Sequence, residues 1–289
     1  MKKLLLPLFS LLFAANVIAE PTVWQAQRGE LNFVLMGSVH MGKPSFYPLP
    51  QEITDAFSDS EGLIVEADLF NDTQFTVPAG EASKTFLNAQ EQVTLNNIAK
   101  DVSLPPIALQ NMPPWQAAMA IQQAQTQQLG LEPQLGIDVH FLTLAQQKNI
   151  PIIALETVQE QLDFISSMRD DGLPLLLDTL NHWEESQEIM PCMIDAWEAG
   201  DSHALTDVVD EMMEESGELE EVIITDRNRR WAETLSNTEH FSQGVYTVVV
   251  GALHLYGNEG LLDLLEDDGF TVKALNEGQK VSCNMSLPN

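Results

Sequence analysis

Positive charge is scarce in this chain: 289 residues carry 13 Lys and Arg against 43 Asp and Glu, a formal net charge of −30 at pH 7. Such a surface repels phosphate backbones and anionic headgroups, so nucleic acid is excluded as a partner. Cysteine is scarcer. Cys192 and Cys283 are the only two and no C-x-x-C occurs, which sets aside a zinc knuckle or a dithiol redox centre. In an oxidising compartment they are expected to pair, closing a long loop worth about 4–5 kcal/mol in the chain-entropy picture. Long apolar runs are missing too. Beyond the N-terminus none approaches the ~18 residues of a membrane span, so no stable membrane insertion is expected. No low-complexity linker divides the chain.

What is present begins with an address. Lys2 and Lys3 precede the short apolar stretch Leu4 to Ala15, and Val17-Ile18-Ala19 ends in small or tolerated residues before Glu20. This reads as a signal peptide, residues 1–19, cut between Ala19 and Glu20. The expected product is a periplasmic or secreted chain, residues 20–289, forming one domain with 11 Lys and Arg against 43 Asp and Glu. The residue immediately after the cut is Glu20 rather than cysteine, which argues against a lipid anchor.

The fold class expected is mixed α/β. Thr22 to Gln27 and Leu31 to Met36 read as a hairpin around Arg28-Gly29-Glu30, and the second strand runs into Gly37-Ser38-Val39-His40. A Pro- and Gly-rich loop, a helix over Gln51 to Ser58 and the strand Leu63-Ile64-Val65-Glu66 follow. The far end repeats this grammar: strand Tyr246 to Val250, then Gly251-Ala252-Leu253-His254, a helix over Glu259 to Asp268, Gly269 and strand Phe270 to Val272. Two strand–G-x-x-H–helix–strand units are therefore expected to face each other across one cleft. Between them lie helices over Trp115 to Leu129, Ile137 to Lys148, Gln159 to Met168, Pro174 to Ile189, Met193 to Ala199, Ala204 to Met213 and Val222 to Leu235. A buried strand, Pro151 to Glu156, interrupts them. The polar segment Asn71 to Ala89 reads as a long loop or flap over the site.

His40, His254, Glu66 and Glu156 each end an apolar strand, where open α/β sheets bind their ligands. The glycine three residues before each histidine is expected to free the backbone for a tight turn. Two imidazoles and a carboxylate suit a divalent transition metal with a position left for water, and a spare carboxylate suits a general base. A buried carboxylate that ends a strand is costly unless used. Arg227 has two readings: helix-spaced pairing with Glu220, Glu221 and Glu233, or a reach into the cleft to stabilise an oxyanion or bind a substrate carboxylate.

Gly37-Ser38-Val39-His40-Met41-Gly42, Tyr47-Pro48-Leu49-Pro50 and Ile64-Val65-Glu66-Ala67-Asp68 resemble the N-terminal signature of the TraB/PrgY/GumN family. Gly136-Ile137-Asp138, Leu155-Glu156-Thr157 and Glu160-Gln161 resemble its central block. Arg227-Asn228 with Trp231, and Val250 to Leu255 with Gly260-Leu261, resemble its C-terminal blocks. The resemblance implies paired G-x-x-H motifs in one cleft of a mixed α/β fold. It also implies likeness to the metal-dependent Tiki proteases, which prefer manganese or cobalt, and more distantly to erythromycin esterases and a haem-binding lipoprotein group. Carried onto this sequence, His40, Glu66 and His254 lead the site, with Arg227, Asn228, Asp138 and Glu156 in support. Leu253 stands where relatives commonly have Gly, which would narrow the pocket.

Three functions stay open on this reading. One is an exported metal-dependent hydrolase, a peptidase using manganese, cobalt or zinc, with His40, His254 and Glu66 as ligands. The second is a metal-free esterase-type hydrolase working by His/Glu acid–base catalysis. The third is a periplasmic protein that binds haem, a metal or a peptide without catalysis. The substrate expected is a peptide or a small molecule.

Overall fold

The computed structural model describes residues 19–282 apart from 217, 218 and 220. The expected signal segment up to residue 18 and Cys283 lie outside the described residues; Ala19 and Cys192 are buried. The chain opens with the hairpin β1 (Val23–Arg28) and β2 (Leu31–Ser38), turned at Gly29 with φ +63°, a left-handed conformation natural to glycine. Then come α1 (Gln51–Ser58) and β3 (Gly62–Val65). A helical stretch follows: α2 (Ser83–Phe86), α3 (Ala89–Asp101), α4 (Pro106–Asn111), α5 (Pro114–Gln128) and α6 (Ile137–Lys148). After β4 (Ile152–Ala154) run α7 (Val158–Ser166), α8 (Arg169–Asn181), α9 (Trp183–Ala199) and α10 (Ser202–Ser216). A π-helical turn, Glu221–Thr225, leads into α11 (Asp226–Ser236), and β5 (Gly244–Gly251), α12 (Leu261–Asp267) and β6 (Thr271–Ala274) complete the order.

The six strands form one mixed sheet in the order β4-β3-β5-β2-β1-β6. β4, β3, β5 and β2 are parallel, and β1 runs against both β2 and β6. Each expected unit is therefore a crossover between parallel strands. β2–α1–β3 moves toward the β4 edge and β5–α12–β6 toward the other. Parallel crossovers are right-handed, so opposite directions cover opposite faces. The reversal lies between β5 and β2, the kind of switch point beyond whose strand ends α/β sheets hold ligands. The two units do not face each other across a cleft as expected. Their G-x-x-H strands are hydrogen-bonded neighbours, Gly37 opposite Val250 and Ser38 opposite Gly251.

Phe33, Leu35, Met36, Val248, Val249 and Val250 are fully buried, which fits strands covered on both faces. A second apolar cluster, with Leu95, Ile98, Leu109, Ile121, Leu176 and Leu180, fills the helices α3, α4, α5 and α8.

Three local expectations need correction. The Pro151 to Glu156 strand is short and forms a sheet edge, half-buried with Ala154 exposed. The Pro174 to Ile189 helix is broken at His182, whose φ of −106° lies outside the helical range; the coil resumes in α9 and runs through to Ala199. Left-handed Asp170, Asp171 and Gly172 precede the regular part of α8, so Pro174 does fall near a helix start. The Asn71 to Ala89 flap is a loop only to residue 82. It then forms α2, and α3 begins at Ala89 because Asn88 and Glu91 make a capping box. The loop is a fastened strap: Asp72 accepts from the Val158 amide (2.7 Å), and the Thr76 amide donates to Gln159 (2.7 Å).

Candidate active site

The first motif is held from below by the central block of sequence. Residues 39–42 pair with the segment before α6: the Gly42 amide donates to the Glu132 carbonyl (3.0 Å), the reverse bond is 2.7 Å, and the Ile137 amide donates to the Val39 carbonyl (3.0 Å). A Cβ on Gly136 would lie 2.2 Å from the His40 carbonyl, so only glycine permits this approach. Asp138, in the first turn of α6, then sits under His40. Its Oδ2 is 2.9 Å from His40 Nδ1, and its Oδ1 accepts from the Ser38 hydroxyl (2.7 Å). A carboxylate only accepts, so Nδ1 carries a proton, and in the neutral ring it is Nε2 that has the lone pair. The imidazole is 72 % exposed. Its pKa is raised to about 9, first by the charge of Asp138 and its hydrogen bond.

The second histidine is the opposite case. His254 is 4 % exposed, and Trp231 packs against its ring at 4.4 Å. Asn228 donates through Nδ2 to the Glu259 carbonyl (2.7 Å), which turns its Oδ1 toward His254 Nδ1 at 2.7 Å. Nδ1 is therefore the protonated nitrogen, and Nε2 accepts from Arg227 Nη1 at 3.0 Å. Burial, reinforced by Arg227 and His40 against the opposing pull of Glu66, lowers its pKa to about 3, so the ring is neutral.

The two glycines do not serve the turn expected of them. Gly251 has φ −50°, open to any residue. What matters is space. A Cβ on Gly37 would meet the Ala252 backbone at 2.7 Å, and one on Gly251 would meet Glu66 Oε1 at 3.0 Å. Bare backbone lets the two motifs touch and lets the Gly251 amide donate to Glu66 Oε1 at 2.6 Å.

Arg227 is the hub. Its Nη2 donates to Glu66 (2.6 Å), its Nε to Glu156 (2.8 Å) and its Nη1 to the Ile223 carbonyl (3.0 Å) as well as to His254, while the guanidinium lies 4.7 Å over the Trp231 ring. The π-turn before α11 presents the Ile223 carbonyl to it. Glu220 lies outside the described residues, and Arg229 rather than Arg227 faces Glu221. Burial alone would raise the Glu66 carboxyl; the charges of His254, Arg227 and His40 and the Gly251 amide hold it down at about 2 instead. With His254 neutral, the lowering near pH 7 comes from Arg227, His40 and the amide. For Glu156 burial wins over Arg227 and the pKa is raised. Two carboxylates on one guanidinium are thus driven apart, the pattern that separates acid from base.

The residues expected from sequence thus form two groups, the open pair His40–Asp138 and a buried floor of His254, Glu66, Glu156, Arg227 and Asn228, on strands that meet where Ser38 pairs with Gly251. Three further participants lay inside the quoted motifs without being given a site role. Ser38 lies inside the first motif. Gln161 donates to Glu66 at 3.2 Å. Trp231 sits four residues after Arg227 on one face of α11, a spacing that could have flagged it. Leu253 is partly buried against the sheet core.

The donors do not match the divalent metal that the resemblance implies. His254 has no lone pair to give: Nδ1 is a donor, and Arg227 occupies the direction from Nε2 in which a metal would bind. The guanidinium would also repel a cation there. Among the described residues, no three His, Cys, Asp or Glu are grouped to hold a metal ion.

Paired G-x-x-H strands at a sheet switch point, closed by an Arg–Glu–Glu–His cluster, define the class. The chain belongs to the TraB/PrgY/gumN family, whose model matches residues 22–274. It is 34 % identical over 239 residues to the uncharacterized protein YbaP of Escherichia coli (strain K12), covering 82 % of this chain and 89 % of that protein. The uncharacterized protein YbaP of Shigella flexneri is 34 % identical over 233 residues, 80 % of this chain and 86 % of its own length. No solved structure matches the chain significantly.

Proposed function

We propose that this chain is an exported hydrolase that splits an acyl bond, of a peptide or a small ester, by acid–base catalysis at the carboxyl ends of β2, β5 and β3. One observation carries this reading: His40 presents an open Nε2 while Asp138 holds its Nδ1 proton, beside a buried, charged floor. In its neutral form His40 takes a proton from water at Nε2, and Asp138 stabilises the imidazolium that results. The water oxygen adds to the acyl carbon, and the same proton then passes to the leaving group. Arg227, fixed by Glu66 and Glu156, supplies positive charge beneath the developing oxyanion. Export and a Cys192–Cys283 bridge belong to the same proposal and rest on the leader-like N-terminus and the two lone cysteines.

The test combines kinetics with elemental analysis of protein purified without chelator. Hydrolysis is expected to be lost in His40→Gln, to survive chelators, and to rise with pH toward the His40 pKa. Asp138→Asn is expected to move that rise to lower pH while reducing the maximal rate. Stoichiometric manganese, cobalt or zinc that disappears in His254→Ala would overturn the metal-free route in favour of the metallopeptidase. Tight binding of haem or peptide with no turnover would overturn hydrolysis itself.

A further inference from the structure

β4 is the only strand among the described residues that both forms a sheet edge and leads directly into the cluster, Glu156 following Ala154 by two residues. Its pairing with β3 is parallel, with Leu63 opposite Ile152 and Val65 opposite Ala154. The Leu63 amide donates to the Pro151 carbonyl and the Leu155 amide to the Val65 carbonyl. In a parallel ladder this alternation turns both polar groups of Ile153 inward and leaves the N–H and C=O of Ile152 and Ala154 pointing away from the sheet. No loop or side chain among the described residues takes them up. Backbone groups spaced in this way fit another extended backbone.

The surroundings suit the same occupant. A groove of about 390 Å³ borders the strand, lined by Ile150 and Ile152, by Gln146 and Asn149 at the end of α6, and by Asp68 and Asn71 at the start of the strap. Three of its four polar side chains are amides; the one carboxylate, Asp68, is engaged by the Phe70 and Asn71 amides and the Asn71 side chain. The strap, pinned to the first turn of α7, exposes Leu69, Phe75 and Val77. These offer apolar contacts just past the strand.

We infer that an extended peptide docks as a seventh strand along β4 and continues over the sheet ends toward His40, which names the substrate class of the hydrolase proposed above and rests on that reading. Four strand spacings separate the added strand from β2, roughly 19 Å at about 4.8 Å each, so about six extended residues link docking to the reacting bond. Peptides shorter than this would reach only one of the two places.

The experiment is hydrogen exchange and binding of the mature protein with a random-sequence decapeptide pool, alongside turnover of p-nitrophenyl acetate. The pool is expected to slow exchange at the Ile152 and Ala154 amides. Ala154→Pro, which removes one outward donor at an edge position that tolerates proline, is expected to bind the pool about three- to tenfold more weakly with ester turnover unchanged. A backbone N-methylated pool should show the same loss on the unaltered protein. Unchanged exchange at both amides, or equal binding of the methylated pool, would overturn the docking. Ester turnover that persists in that case leaves the hydrolase standing, whereas protection of β4 without any hydrolysis keeps the docking and removes the hydrolase.

Discussion

At the scale of single residues, Arg227 bears the heaviest duty. It is 10 % exposed by side chain and faces Glu66 and Glu156, exposed by 9 % and 3 %. Replacing it with Met strands two carboxylates in a buried site, and breaking such a pair costs about 3–5 kcal/mol. The expected outcome in urea denaturation is a loss of that order, with Arg227→Lys intermediate because an ammonium keeps the charge but not the fork of donors. Titration follows from the same cluster. An unfolded histidine binds a proton below its ordinary 6.5, whereas His254 declines it until about 3, so stability falls with acid across that window. Glu66, held at about 2 against 4.5, adds a loss as pH drops through its folded value. His40 works in the other direction: its contribution is complete below 6.5 and disappears as pH rises through about 9. Urea midpoints measured from pH 3 to 10 are expected to show both limbs, and His40→Gln to flatten the alkaline one.

At the scale of elements, the strands that flank the site and the helices α1, α5 and α6 were legible because apolar periodicity, capping residues and Gly or Pro punctuation agree there. The pairing of β2 with β5 was not. It joins segments more than 200 residues apart, and local pattern carries no register. The charge cluster was half legible: strand-ending carboxylates announce themselves by cost, but Arg227 looked equally like a surface helix residue. The reason for the glycines was misread, since sequence shows a missing side chain without showing what lies against it. That difference can be measured. Gly37→Ala drives a methyl into the Ala252 backbone and is expected to cost about 1–3 kcal/mol of stability. Gly251→Ala meets only side chains, the end of Glu66 at 3.0 Å and the His254 ring at 3.4 Å, so it should cost less stability and more activity. Parallel denaturation and rate measurements check the ordering.

At the scale of the whole molecule, composition settled early what sort of surface this is, and the acidic exterior leaves His40 as a solvent-facing cation raised on a negative ground. The expected bridge between Cys192 and Cys283 would fasten the tail to α9, whose buried Cys192 lies in the sheet core. Thiol titration of the denatured, unreduced protein should find no free thiol, and reduction should lower stability by up to about 4–5 kcal/mol. Two free thiols in protein recovered from an oxidising compartment would refute the bridge.

The position of β5 has a consequence for how the molecule is made. It is the fifth strand in sequence but the third across the sheet, seated between β2 and β3. A chain emerging from its N-terminus completes both of those strands long before the segment that separates them arrives. Until then each presents a bare row of amides and carbonyls toward the other, across a slot one strand wide. Chains cut short before residue 244 keep that slot, and with it two sticky templates for foreign segments. Assembly of the buried charge cluster is likewise postponed, because His254 enters only with the strand that closes the gap. The hydrolase proposed above would therefore stay silent during its own synthesis.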